Sequence, residues 1–295
     1  VPELPEVETM RRGLLPLIGG VIDRVEFPEI PYRPIEQTPT NADFDSRARG
    51  QIIVAIDRIA KRVLVRLSSG DSIVMQPKMA GLALIADPPS QQHIRMIAYV
   101  RNAHAERLIY WDRRGLGTVH LWTSQQCAAH LGPERLGPDA LAIDPVDWIA
   151  RFRSLNRPVK PALLDQKKVA GIGNLYASEI LHSAAVYPMQ LCSQISRRRW
   201  LRIYHAMREI LTQAIVAEGS TLADGTYRNA INGEGGYQLH HRVYAREGKT
   251  CPSCKKNKIQ RVVQAQRSTF YCPRCQPEPR ARSTERPDRH STKIC

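Results

Sequence analysis

The sequence predicts an α+β chain of more than one domain: a β-rich N-terminal half, a helical middle, and a small basic module bounded by cysteines. Three observations carry this. Apolar residues from Val21 to about Trp122 alternate or run in short blocks rich in Ile and Val, apolar spacing of three and four residues takes over further along, and two C-x-x-C pairs bracket a basic stretch near the C-terminus. At 295 residues the chain can hold about two domains with cores of their own, at roughly 100 to 200 residues each.

The first element is a helix. In "PEVETMRRGLLPLIGG" a proline opens the first turn, Met10, Leu14 and Leu15 supply apolar positions, and Gly19-Gly20 stops it. The blocks "VIDRVEF", "QIIVAIDRI", "RVLVRL", "DSIVMQ", "RMIAYV" and "RLIYW" follow, separated by turn signals such as "SSGD", and read as a β-sandwich or barrel. "LGPERLGPDALAIDP" breaks into Gly and Pro punctuation, as a linker does. Beyond it, "KPALLDQ" and "NLYASEILHSA" form a short helical pair joined by "KKVAGIG". "SRRRWLRIYHAMREILTQAIVAEG" is a longer helix capped by Ser196 and stopped at Gly219. From Pro277 the chain is rich in proline and charge and nearly devoid of apolar residues, which predicts disorder.

Lys and Arg number 43 against 28 Asp and Glu, a formal net charge of +15 that favours a polyanionic partner, nucleic acid first. The excess is concentrated: from His241 to Gln276 nine Lys or Arg face one acid, Glu247. No stretch approaches the roughly 18 apolar residues of a membrane span, and no charged segment followed by an apolar run opens the chain, so a cytoplasmic protein with no membrane partner is expected. Of seven cysteines four form the two tight pairs, which suits a reducing compartment.

Cys251-Pro-Ser-Cys254 and Cys272-Pro-Arg-Cys275, seventeen residues apart, fit the spacing of a four-thiolate zinc site. Four thiolates close a tetrahedron and leave no open position, so one structural Zn2+ is expected. Between the pairs "NKIQRVVQAQRSTFY" alternates and turns near Gln264 to Arg267, as a β-hairpin does, with Arg267 beside its tip where a guanidinium can fork onto a phosphate.

Three blocks, "PELPEVET", "LLDQKKVAGIGNLYASE" and "VVQAQRSTFYCPRC", together resemble the bacterial formamidopyrimidine-DNA glycosylase family from about residue 2 to 276. "PELPE" is closer to this branch than to endonuclease VIII, which typically reads "PEGPE". The resemblance implies an N-terminal β-sandwich domain (1–134), a linker (135–150), a helix-two-turn-helix DNA-binding domain (151–240), a zinc finger (241–276) and a basic tail (277–295). It also implies a monomeric base-excision-repair enzyme, acting on double-stranded DNA that contains oxidised bases or abasic sites. Such an enzyme removes 8-oxoguanine and formamidopyrimidines and then cleaves the abasic strand.

By the same resemblance Pro2 is the nucleophile and Glu3 the acid/base. An α-amine has a pKa of about 8 against about 10.4 for lysine, so far more of it is free base near pH 7. Its attack on the sugar C1′ yields an iminium that promotes elimination. Lys61 in "RIAKRVL" matches a lysine that contacts phosphate and assists elimination, Asn174 a phosphate contact at a helix start, and Arg267 the finger arginine at the lesion. The base must be flipped and the hole filled. Met79 and Arg114 match two of the filling residues, and Leu116 stands where the family usually has Phe. Gly115 replaces a usual basic residue and Lys78 a usual small one, while His93 and Arg157 match further DNA contacts. Base preference is expected in "GSTLADGTYRNAINGEGGYQLHHRV".

Val1 precedes Pro2 and would turn the nucleophilic amine into an amide. It reads as the literal translation of a GTG start codon, trimmed to leave Pro2 first. Two other readings stand beside this one: an enzyme of the endonuclease VIII type for oxidised pyrimidines or abasic sites, and a silent lesion-binding homologue that retains Val1.

Overall fold

In the computed structural model residues 2–279 are described; Val1 and all but the first three residues of the expected disordered tail lie outside the described residues. Helix α1 (Leu4–Gly13) opens the fold, with Pro5 in its first turn and the Glu6 carboxylate accepting the Glu3 N–H at 2.9 Å. It ends at Gly13, short of the Gly19-Gly20 stop expected from the sequence, and a single 3₁₀ turn covers Leu15–Leu17. Pro16 is the reason, since it has no N–H to donate and its ring clashes with the carbonyl four residues back.

Nine strands follow: β1 (Val21–Glu26), β2 (Glu36–Thr38), β3 (Ile53–Ile59), β4 (Arg62–Leu67), β5 (Ser72–Gln76), β6 (Gly81–Leu84), β7 (Ile94–Arg101), β8 (Arg107–Asp112) and β9 (Thr118–Trp122). They form two sheets, ordered β1-β7-β8-β6 and β2-β9-β5-β4-β3, which makes the domain a sandwich and not a barrel. Val63, Val65, Ile73 and Met75 face the inner core with Met96 and Leu108 of the other sheet. Leu64 and Val74 face outward and are covered by Cys127 and Leu131 of α3 (Ser124–Leu131). Burial on both faces explains why β4 and β5 read as continuous apolar runs instead of alternating ones.

Two helices of this domain were not read from the sequence, α3 and one that precedes it. In α2 (Asn41–Ala48), capped by Thr40, only Phe44 and Ala48 are buried, too narrow a stripe to show as periodicity. The stretch 135–150, expected as a linker, contains the start of another helix, α4 (Pro145–Phe152). Asp144 caps it by accepting the N–H groups of Val146 and Asp147 at 2.8 and 3.0 Å. The "DP" that reads as punctuation is a helix start, because proline needs no N–H at the first turn.

The helical domain adds α5 (Val159–Leu163), α6 (Asn174–Ser183) and α7 (Arg197–Val216), the last with Ser196 as its cap. Trp148, Phe152 and Trp200 are fully buried in its core, and Phe152 stacks on Trp200 at 5.4 Å. The finger's hairpin pairs β10 (Gln260–Gln264) with β11 (Arg267–Tyr271) across Ala265 and Gln266, both at positive φ. α1 lies between the two large domains, with Val7 and Met10 in the sandwich core and Leu4 in the helical core. Among the described residues no helix is long and apolar enough to cross a membrane.

Truncating Trp200 to Ala removes the α7 ring that packs against Trp148 and Phe152 of α4. It should lower the unfolding free energy by about 3 to 5 kcal/mol in denaturant titration; a loss under about 1 kcal/mol would show that these helices do not share a core.

Candidate active site and zinc centre

The chain's second and third residues are both buried. Glu3 is only 3% exposed, and its carboxylate lies across the start of α6, accepting the Leu175 N–H at 3.0 Å and the Tyr176 N–H at 3.4 Å. Helix N-termini carry unpaired N–H groups and a partial positive charge, so a buried carboxylate finds there the partners it loses from water. Gly173 precedes the helix because nothing larger fits: a Cβ there would fall inside the Glu3 carboxylate. Leu4 N–H donates to the Gly171 carbonyl at 3.1 Å, holding the start of α1 to the same "AGIG" loop.

Cations surround this carboxylate. Lys61, in the turn between β3 and β4, donates to the Ile172 carbonyl at 2.9 Å. Its pKa is lowered by burial, with the Glu3 charge opposing and Arg267 adding to the depression. Lys160, on α5, is 1% exposed and donates to Asn174 Oδ1, the Ser268 carbonyl and Thr269 Oγ1 at 2.7, 2.9 and 2.8 Å. Burial draws its pKa down to about 7, Glu3 opposing and Arg267 assisting. Sequence reasoning missed Lys160, although a lysine inside the apolar run "PVKPALL" was the available signal.

Glu6 stands behind Glu3. Burial raises its pKa, the neighbouring Glu3 charge next, and it accepts the Tyr176 hydroxyl at 2.6 Å and the Ser220 N–H at 2.9 Å. The segment expected to set base preference is thereby tied to α1. Beside it a cavity of about 480 Å³ is lined by Thr221, Leu222, Gly225, Gln238, His241 and Tyr244. Tyr244, on its wall, donates its backbone N–H to Glu179 of α6 at 2.8 Å, which sets the cavity beside that helix. A larger cavity of about 710 Å³, lined by Arg58, Leu131 and Asp139, holds none of these groups.

Of the residues singled out in the sequence, Glu3, Lys61 and Asn174 meet around the start of α6, with Pro2 next to Glu3 in the chain and Arg267 next to the Ser268 carbonyl that Asn174 holds. Asn174 is already engaged, accepting from Lys160 and donating Nδ2 to the Ser268 carbonyl at 3.0 Å, and the helix-start N–H groups next to it belong to Glu3. Met79, Arg114 and Leu116 form a second group at one end of the sandwich. Their loops leave from paired strands, Gln76 opposite Thr118 and Gly81 opposite Asp112. Asp112 fixes the second loop by accepting the Arg114 and Gly117 N–H groups at 2.9 and 2.7 Å. Met79 and Arg114 are exposed, Leu116 half-buried. Gly115 has φ +60 and lies against the Arg33 carbonyl, so a side chain there would be both strained and blocked. His93 belongs to neither group by direct contact: it packs at 4.7 Å on Tyr32 and 5.6 Å on Trp111. Arg157 is paired with Asp165 at 2.7 Å.

The four cysteine sulfurs lie within 4.8 Å of one another, with Cys251 to Cys275 at 3.8 Å and Cys254 to Cys272 at 3.7 Å. Zinc–sulfur bonds of about 2.3 Å in a tetrahedron put the sulfurs about 3.8 Å apart, so the set fits one structural zinc ion. Glu179 on α6 anchors the finger's start by accepting the N–H groups of Arg242, Val243 and Tyr244 at 3.0, 3.0 and 2.8 Å.

Residues 1–119 match the family model described as Formamidopyrimidine-DNA glycosylase N-terminal domain, residues 131–225 the Formamidopyrimidine-DNA glycosylase H2TH domain, and residues 248–277 the Zinc finger found in FPG and IleRS. The formamidopyrimidine-DNA glycosylase of Chloroflexus aggregans is 38% identical over 281 residues, covering 94% of this chain and 98% of the relative. That of Chloroflexus aurantiacus is 36% identical over 284 residues, with the same coverage. The crystal structure of MutM (Fpg) from Thermus thermophilus superposes with a TM-score of 0.81 at 33% identity, and Lactococcus lactis Fpg bound to abasic-site DNA with 0.82 at 28%; each comparison covers 94% of this chain and 100% of the other. Fold, zinc centre and relatives together define a DNA glycosylase of base excision repair. The chain belongs to the formamidopyrimidine-DNA glycosylase family.

Gly173→Ala should cost about 1 to 3 kcal/mol of stability by forcing Glu3 off the helix start. Most of that cost should vanish in a Glu3→Ala background; an undiminished cost there would mean the carboxylate is not what the methyl meets. Lys160 yields a pH signature. Its folded pKa of about 7 lies below the ordinary 10.5, so between those values the unfolded chain binds the extra proton and stability rises with pH. The stability of the wild type relative to Lys160→Met should therefore increase from about pH 7 to about pH 10 in urea titrations, and a flat or falling difference would contradict it.

Proposed function

We propose that this protein is a bifunctional DNA glycosylase and abasic-site lyase that excises oxidised purines, 8-oxoguanine and formamidopyrimidines, from duplex DNA through the secondary amine of Pro2. The observation that carries the reading is the buried Glu3 carboxylate next to Pro2 on the start of α6, where Lys61 holds the Ile172 carbonyl and Asn174 holds the hairpin of Arg267 through Ser268. The Lactococcus lactis relative, solved in complex with Fapy-dG DNA and with abasic-site DNA, supports both the lesion class and the abasic intermediate.

In this reading the Pro2 nitrogen attacks the deoxyribose C1′ as the C1′–base bond breaks, and the departing base takes a proton. Glu3 protonates the ring oxygen, so the sugar opens and an iminium forms between Pro2 and C1′. The iminium accepts the electron pair released when a C2′ proton is lost, which expels the 3′ phosphate. A second elimination expels the 5′ phosphate, and hydrolysis frees Pro2. Lys61 and Arg267 hold the phosphates and offset the charge that develops as they leave. Asn174 reaches phosphate by exchanging its contact with Ser268. Met79, Arg114 and Leu116 fill the space of the flipped base, His93 and Arg157 add backbone contacts, and the cavity beside Thr221 and Tyr244 receives the base.

The mechanism requires a free Pro2 amine, hence a chain from which Val1 has been removed. Borohydride reduction on 8-oxoguanine duplexes should trap a covalent adduct that maps to Pro2 in a chain beginning there. An absent adduct would sink the Schiff-base step, and faster excision of oxidised pyrimidines would move the enzyme to the endonuclease VIII type. Arg267→Ala should weaken lesion-DNA binding by about tenfold or more and slow strand cleavage, whereas unchanged affinity and cleavage would remove Arg267 from the site.

A further inference from the structure

One buried histidine has no role in the chemistry above. His182, near the C-terminal end of α6, is 4% exposed, and its Nε2 lies 3.6 Å from the sulfur of Cys251, itself fully buried. Its Nδ1 is also buried and meets no hydrogen-bond partner among the described residues. The ring's polar contact is therefore the zinc-site sulfur. If the imidazole proton sat on Nδ1, a buried N–H would go unpaired and the Nε2 lone pair would face a thiolate's lone pairs. With the proton on Nε2 the ring donates to the sulfur, and the remaining unpaired atom is an acceptor, the less costly kind to bury.

We infer that His182 donates an Nε2–H hydrogen bond to the Cys251 thiolate and acts as a positioning residue that retains the zinc and locks the finger against α6. Four thiolates on one divalent cation carry a net charge of about −2, and where the site is shut away from water a donor aimed at one sulfur offsets part of it. Metal ligands are commonly held this way, at about 10- to 100-fold in metal affinity per contact. His182 follows Glu179 by three residues and shares its face of the helix. α6 thus grips the finger three times: at Ser268 through Asn174, at residues 242–244 through Glu179, and at the metal ligand through His182. The helix start that seats Glu3 and the zinc that folds the hairpin carrying Arg267 are fixed to one rigid element.

The test uses zinc-loaded full-length protein and follows zinc transfer to a chromogenic chelator, with circular dichroism to confirm that each variant is folded. His182→Phe keeps the ring and removes the donor; it should release zinc about 10- to 100-fold faster than the wild type. His182→Gln keeps an N–H and should restore most of the retention. Cobalt-substituted protein should show a four-sulfur spectrum in every form, with the sulfur-to-cobalt band shifted in His182→Phe. Should the Phe variant not fold, ¹⁵N imidazole spectra of the wild type still decide the donor: a protonated Nε2 supports the assignment, and a protonated Nδ1 overturns it. Wild-type release from His182→Phe, release from His182→Gln as fast as from His182→Phe, or a cobalt spectrum of three sulfurs and one nitrogen would each overturn it as well.

Discussion

The carboxylate of Glu3 on the first N–H groups of α6 is the contact on which the arrangement of the site depends. It joins the residue that precedes α1 directly to a helix in the other large domain. A charge buried this deeply is tolerated only where hydrogen bonds and positive potential replace hydration, and the start of α6 supplies both. The glycine at 173 makes the approach possible, and the lysines at 61 and 160 with Arg267 hold the field positive around it.

The same environment sets how the cations behave. Lys160 makes three hydrogen bonds, as an ammonium does, yet burial and Arg267 bring it to the edge of deprotonation near neutral pH. It bridges Asn174 to the hairpin carrying Arg267, so its protonation state bears on how firmly helix and finger are joined. Glu6 does for α1 and the 220 segment what Lys160 does for α5 and the finger, with burial raising its pKa while the Tyr176 hydroxyl and two N–H groups support the anion. Buried polar groups of this kind contribute little net stability, but each is costly to leave unpaired, and this fixes the relative placement of the parts they join.

The loops of Met79, Arg114 and Leu116 follow a different logic. Asp112 shapes the loop of Arg114 and Leu116 through two backbone N–H groups, and Gly115 closes it against the carbonyl of Arg33. The departure from a basic residue at 115 thus has a local cause in backbone conformation and space. Leucine in place of an aromatic residue at 116 has no such explanation in the structure.

Patterns set by neighbouring residues were legible from the sequence. The doubled C-x-x-C spacing specified the zinc ligands, apolar periodicity specified α7 with its Ser196 cap, and alternation around "QAQR" placed Arg267 beside the hairpin tip. Where a helix buries only two side chains, as in α2, or begins at a proline, as in α4, local pattern was too weak or misleading. The family motifs brought Pro2, Glu3, Lys61, Asn174 and Arg267 to attention, but not what each one touches. Glu3 finds its partner 172 positions away, Lys160 is a buried hub instead of a surface lysine, and His182 reaches a cysteine 69 residues further on. Sequence by itself determined the strongly periodic elements and the metal ligands, because helix period, strand alternation and ligand spacing are properties of nearby residues. Only the tertiary structure decided which charges are buried and what compensates them, because desolvation depends on everything that packs around a group, whatever its distance along the chain.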